Sequence, residues 1–129
     1  MISTLFAWLN AILYAACAFW CTLVPDQVMV FLGQSVVKPQ GRIEFLAVYG
    51  GIEAGLAVFF CMCGINPLMT MSGVRLGLCL YGGAVAWRTC ALVFCGLPDE
   101  HGILGLYALE ILLLSLAIAA WFESRLRNP

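Results

Sequence analysis

A chain of 129 residues with 64% hydrophobic side chains and only 10% charged ones lies outside the range of soluble domains, where about a quarter of residues are charged. A mean hydropathy of +1.01 defines an integral membrane protein, and the length allows one domain with no separate soluble module. The net charge is −1 and the six basic residues are scattered, which excludes nucleic acid as a partner because no run could track a phosphate backbone.

Four segments reach the ~20 apolar residues needed to cross a bilayer: residues 2–24, 42–64, 72–95 and 102–122. The expected fold is all-α, an up-down four-helix integral membrane bundle. Within the first segment Ala15-Ala16-Cys17 looks like a lipoprotein cleavage site, but there is no basic region before it and the apolar run is too long for a signal peptide. It therefore reads as a retained helix. Asn10, Tyr14, Cys17 and Cys21 fall at i, i+4, i+7 and i+11, within roughly 60° of one another on a helix. That stripe should face the bundle, with Asn10 and Tyr14 hydrogen-bonding to a neighbouring helix. After Pro25 a short helix is expected over 26–32, with Asp26 in its first turn and Gly33 at its end. Its mixed apolar face suits either the membrane surface or a lid on the open end of the bundle.

The second segment places Arg42, Leu46, Tyr49 and Glu53 on one stripe, beside a surface of Gly50, Gly51, Ala54 and Gly55 that admits a close helix neighbour. Tyr81-Gly82-Gly83 in the third segment echoes Tyr49-Gly50-Gly51, and Arg88 follows Tyr81 by seven residues on the same face. In the fourth, Tyr107 precedes Glu110 much as Tyr49 precedes Glu53. Asn66-Pro67 and Gly96-Leu97-Pro98-Asp99 are turn sequences short enough to make the adjoining helices antiparallel. An even number of crossings puts both termini on one side.

Each of the last three segments carries an ionisable residue well inside its length. At 1.5 Å per residue from the shared end of the bundle, Glu53 lies roughly 16 Å in, Arg88 roughly 11 Å and Glu110 roughly 12 Å. An unpaired charge in hydrocarbon costs about 2.5 kcal/mol or more, so the three should converge. Arg88 has donors enough for both carboxylates, and nearby tyrosine hydroxyls can complete the shell. One acid then remains in surplus. Either one Glu is protonated near neutral pH, or the cavity holds a cation or a cationic or hydrogen-bonding ligand. Glu53, Glu110 and Arg88 are accordingly the candidate catalytic group, with Tyr49, Arg42, Tyr81, Tyr107, Asn10 and Tyr14 as candidate ligand-binding residues.

The run Glu44-Phe45-Leu46-Ala47-Val48-Tyr49-Gly50-Gly51-Ile52-Glu53-Ala54-Gly55-Leu56, followed by Arg88, Gly96-Leu97-Pro98 and Glu110, resembles the small four-helix bacterial membrane proteins of domain-of-unknown-function family 4345. The likeness extends from the Pro25 region to the last helix. Family members usually carry a basic residue where this chain has Leu46, and a Gly where it has Trp87. The resemblance implies a four-helix inner-membrane protein and points to Tyr49, Glu53, Arg88 and Glu110, with no activity attached.

Other constellations carry less. Cys17, Cys21, Cys90 and Cys95 lie toward the same end as the charges, which raises a quinone-linked thiol oxidase, but no Cys-x-x-Cys exists and small buried hydrophobes are the better reading. Cys61, Met62, Cys63, Met69 and Met71 are soft sulfur ligands of the kind Cu(I) prefers, with apolar filler the better reading here too. His101 is the only histidine, so a bis-His haem within the chain is excluded; beside Asp99 and Glu100 it reads as a solvated loop. No cofactor and no metal is expected. Arg75, Arg125 and Arg127 on the side of the termini outnumber Lys38 and Arg42 on the other, placing the termini in the cytoplasm. Three functions stand open: a membrane protein that binds a small lipophilic or amphipathic ligand, with or without acid-base chemistry on it; a non-catalytic accessory subunit of a larger membrane complex; and an oligomeric transporter or channel. The bilayer is the one partner common to all three, and a homo-oligomer fits any of them.

Overall fold

The computed structural model describes residues 1–35, 38–98 and 101–127. The chain is all-helical there: α1 (Ile2–Leu23), α2 (Pro25–Phe31), α3 (Pro39–Phe45), a π-helical segment (Leu46–Ile52), α4 (Glu53–Ile65), α5 (Thr70–Cys95) and α6 (His101–Arg127). The π-helical segment joins α3 to α4 in one continuous rod, Pro39–Ile65. Among the described residues four helices are long and apolar enough to cross a membrane, namely α1, this rod, α5 and most of α6. The surface loop expected around Asp99 and Glu100 lies outside the described residues.

Helix ends depart from the sequence expectation for identifiable reasons. The second span begins three residues early because Pro39 occupies the first helical turn, where its missing N–H would go unpaired in any case. In the following turn Asn66 Oδ1 accepts from the Leu68 amide at 3.0 Å. The Thr70 hydroxyl donates to the Cys63 carbonyl at 2.9 Å, so α5 starts at Thr70. Helix α6 continues past Phe122 to Arg127, with the Arg125 guanidinium 4.9 Å from the centre of the Trp121 ring. Polar residues end the apolar span there without ending the helix.

Helix α1 packs along α4 and the π-helical segment, α5 packs along α6, and α1 also contacts both α5 and α6. The core at this crossing holds Phe6, Phe60, Val74, Leu113, Ala117 and Ala120. Phe6 and Phe60 meet edge to face at 6.1 Å, and Tyr14 stacks on Phe60 at 5.7 Å. Close approach depends on glycine. A Cβ at Gly77 would stand 2.5 Å from the Phe6 ring, and one at Gly64 would stand 2.9 Å from the Trp8 indole. Large apolar side chains point outward instead, among them Trp87 and Phe94, both more than four-fifths exposed. Such an outer surface matches hydrocarbon rather than water.

A second core settles the position of the short helix. Val28 and Met29 of α2 are buried with Cys21 and Phe45, against Val24, Leu32, Leu46 and Tyr49. Phe31 reaches Trp20 at 5.7 Å, and its carbonyl lies so close to Gly102 that any side chain there would collide. Helix α2 is therefore a lid across the end of the bundle remote from the termini. Arg42 reaches Asp26 at 3.6 Å on the outside of this lid. Both side chains are largely exposed, so Arg42→Ala is expected to shift the unfolding free energy by less than about 1 kcal/mol, measured by thermal melting in detergent.

Candidate functional site

Beneath the lid lies a cavity of about 270 Å³. Its apolar walls are Leu13, Leu32, Ile103, Leu106, Leu109 and Leu113, and its polar groups come from every long element: Tyr14 and Cys17 from α1, Tyr49 from the π-helical segment, Glu53 from α4, Tyr81 and Arg88 from α5, Glu110 from α6. Gln34, just after α2, is at its edge. An apolar pocket with a few convergent polar groups is the usual form of a small-molecule site.

The π-helical segment explains how the second span serves this cavity. Its i→i+5 turns are wider than α turns and recur at functional sites. Here the segment contains Tyr49-Gly50-Gly51, and Gly50 sits against the Thr22 hydroxyl, with a Cβ there only 3.1 Å from that oxygen. Tyr49 stacks on Phe45 at 4.8 Å, while Glu53 opens the α-helix that follows.

Arg88 and Glu110 form the one strong ionic contact of the site among the described residues. The guanidinium donates from Nε to Oε2 at 2.7 Å and from Nη2 to Oε1 at 2.6 Å, a bidentate fork that fixes both side chains. They are partly buried, with 27% and 12% of the side-chain surface exposed. Glu53 stands apart. Its Oε2 is buried and, among the described residues, has no hydrogen-bond partner. The three charges thus line one cavity without forming a single buried ion cluster, a correction to the expected triad. The physical reason is one of direction and not of donor number: the Nε–Nη2 edge of Arg88 faces Glu110 on the neighbouring α6, and Glu53 Oε2 on α4 has no hydrogen-bond partner among the described residues.

The remaining expected site residues divide. Tyr14, Tyr49 and Tyr81 line the cavity. Asn10 does not reach it; fully buried beneath, it accepts a hydrogen bond from the Tyr81 hydroxyl and donates to the Phe6 carbonyl at 2.7 Å. Tyr107 is also elsewhere, its hydroxyl hydrogen-bonded with Thr89 at 2.8 Å. Arg42 belongs to the lid contact already described. The echo of Tyr107-Glu110 with Tyr49-Glu53 fails because the π-helical turns change the register of the second span, whereas α6 is a regular α-helix. All seven cysteines are free thiols: Cys17 lines the cavity, Cys21 lies under the lid, and Cys90 and Cys95 face outward. Gln34, Leu106 and Leu109 also line the cavity; a lone glutamine after α2 and leucines within an apolar helix carry no sequence signal that marks a site.

Because Asn10 Oδ1 is fully enclosed, Tyr81→Phe is expected to destabilise the protein by about 1–3 kcal/mol, the cost of stranding a buried acceptor. Tyr81→Phe together with Asn10→Leu should recover much of that loss in the same detergent unfolding assay.

The class defined by fold and site is an all-helical protein with four membrane-length helices and a lidded polar cavity at one end. Comparison with protein-family models, with curated proteins and with solved structures finds no match to the chain.

Proposed function

We propose that the chain is a multi-pass protein of a bacterial inner membrane, an up-down four-helix bundle akin to domain-of-unknown-function family 4345, whose lidded cavity binds a small amphipathic molecule with a hydrogen-bond-donating head. One observation carries the reading. A buried carboxylate oxygen of Glu53 is unpartnered, among the described residues, in a cavity where the nearby cation Arg88 is committed to Glu110. Leaving a charged or polar acceptor unsatisfied at that depth is costly, and a hydroxyl or amine from a ligand would remove the cost. Tyr14, Tyr49 and Tyr81 offer further hydroxyls, and the leucine walls suit an apolar body. Arg75 and Arg125, with Arg127, favour cytoplasmic termini, which would put the cavity in the periplasmic half.

The same geometry changes the assignment of acid-base roles. Glu110 is neutralised by its fork with Arg88, so Glu53 is the group free to exchange a proton with a bound molecule. Arg88 and Glu110 then act as a fixed wall. The test is Glu53→Gln, an isosteric change that keeps the fold. Lipid and metabolite mass spectrometry on the purified wild type is expected to find a co-purifying small molecule that the variant lacks, with unchanged thermal stability. Identical bound molecules in both proteins would refute the role of Glu53.

A further inference from the structure

The cavity has a side door. Between the end of α5 and the start of α6 runs an open groove of about 330 Å³ lined by Ala91, Leu92, Cys95, Leu97 and Pro98. Two residues, Arg88 and Ile103, line both this groove and the cavity, so the two spaces meet at the guanidinium. Apart from Arg88 the groove is apolar and opens on the outer surface of the helices, where Val93, Phe94 and Leu97 are all nearly three-quarters exposed or more.

Its level along α5 decides what could use it. The groove runs from Arg88 to Pro98, across the last two turns of α5 and the residues that follow, which is the boundary zone between hydrocarbon and headgroups when α5 spans a bilayer. Amphiphilic molecules collect at that depth. The axial route is obstructed instead, because Val28 and Met29 bury α2 across the mouth and the Phe31 carbonyl rests on Gly102.

We propose that the ligand arrives sideways from the bilayer interface, as a compact amphiphile with a hydroxyl or amine head, through the groove between α5 and α6, with Arg88 and Ile103 as the threshold. The inference rests on the binding reading above and adds to it a route and a substrate class. Its physical logic is that a lipid-dissolved molecule gains little by moving into an apolar groove, since lipid tails are as apolar as leucine. The groove contributes access, and the hydrogen bond to Glu53 contributes affinity. Access is therefore what the test must read.

Proteoliposomes are mixed with vesicles carrying a medium-chain alcohol that bears a photoreactive diazirine, and labelling of the peptides containing Tyr14, Tyr49 and Tyr81 is followed in time by mass spectrometry. Ala91→Phe, which fills the groove without touching the cavity, is expected to slow labelling by about tenfold, equivalent to ~1.4 kcal/mol on the barrier to access, with the same final extent. Val30→Trp, on the exposed outer face of the lid and outside both the cavity and the groove, should leave the rate unchanged. Cys95→Phe repeats the groove block should Ala91→Phe fail to reach the wild-type endpoint. A matching amine should displace the probe, and a carboxylate of equal chain length should not. Slowing by Val30→Trp alone, slowing by neither block or by both, or displacement by the carboxylate would each overturn the inference. Absence of cavity labelling in the wild type at any time would instead remove the binding reading, and this route with it.

Discussion

Arg88→Leu is expected to lower the unfolding free energy by about 3 kcal/mol, the scale on which an ion pair shielded from water fails when one partner is removed. The loss comes less from the missing contact than from what stays behind. Glu110 would keep its carboxylate in the cavity wall with both bonds to the guanidinium gone, next to a second acid, Glu53, that already has an unpartnered oxygen among the described residues. Glu110→Leu should cost about as much, because it strands the guanidinium in the same way. The double substitution to leucine is the informative variant. Two apolar side chains of similar length can fill the space between α5 and α6, so the double variant should be more stable than either single one by about 1–3 kcal/mol, a coupling typical of residues in one network. Equilibrium unfolding in mixed detergent measures all three. If the single losses simply add in the double variant, the pair contributes nothing as a pair.

Gly77→Val is the second large effect, expected at about 1–3 kcal/mol for forcing extra methyl groups into a filled core. Even the first added carbon would lie 2.5 Å from the Phe6 ring tip and 3.8 Å from the Ala117 side chain, and Phe6 is itself enclosed by Phe60. Neither ring can withdraw without opening the crossing of α1 with α5 and α6. Trimming the obstacle should restore the fit, so Phe6→Leu is expected to rescue Gly77→Val partly although it is destabilising alone. The contrast is Gly83→Val on the same helix. A Cβ at Gly83 meets nothing within 4 Å, so that change should stay within about 0.5 kcal/mol. Equal losses at the two positions would mean that helix propensity, and not the contact with Phe6, governs these glycines.

How far the site could be read in advance depends on the kind of interaction. Burial periodicity located Asn10 and Cys21 on the inward stripe of α1 correctly, because a regular α-helix repeats its faces. The same reasoning misplaced Arg42 and Tyr107. The π-helical turns over Leu46–Ile52 break the 3.6-residue count in the second span, and no rule of local propensity announces them beyond the Gly50-Gly51 pair. Depth counting brought Glu53, Arg88 and Glu110 to one cavity, since rise per residue is nearly constant. It could not say which carboxylate the arginine would take, a choice made by side-chain direction across three helices.

Four helices long and apolar enough to cross a membrane, the turns between them and the ionisable residues set well inside them are thus properties of the chain alone, because each follows from composition or from spacing along one helix. The lid made by α2, the pairing of Arg88 with Glu110 in place of a triad, the unpartnered oxygen of Glu53 and the groove that meets the cavity at Arg88 belong to the tertiary structure. They arise where side chains from separate helices compete for the same space and the same donors, and no single helix carries that information.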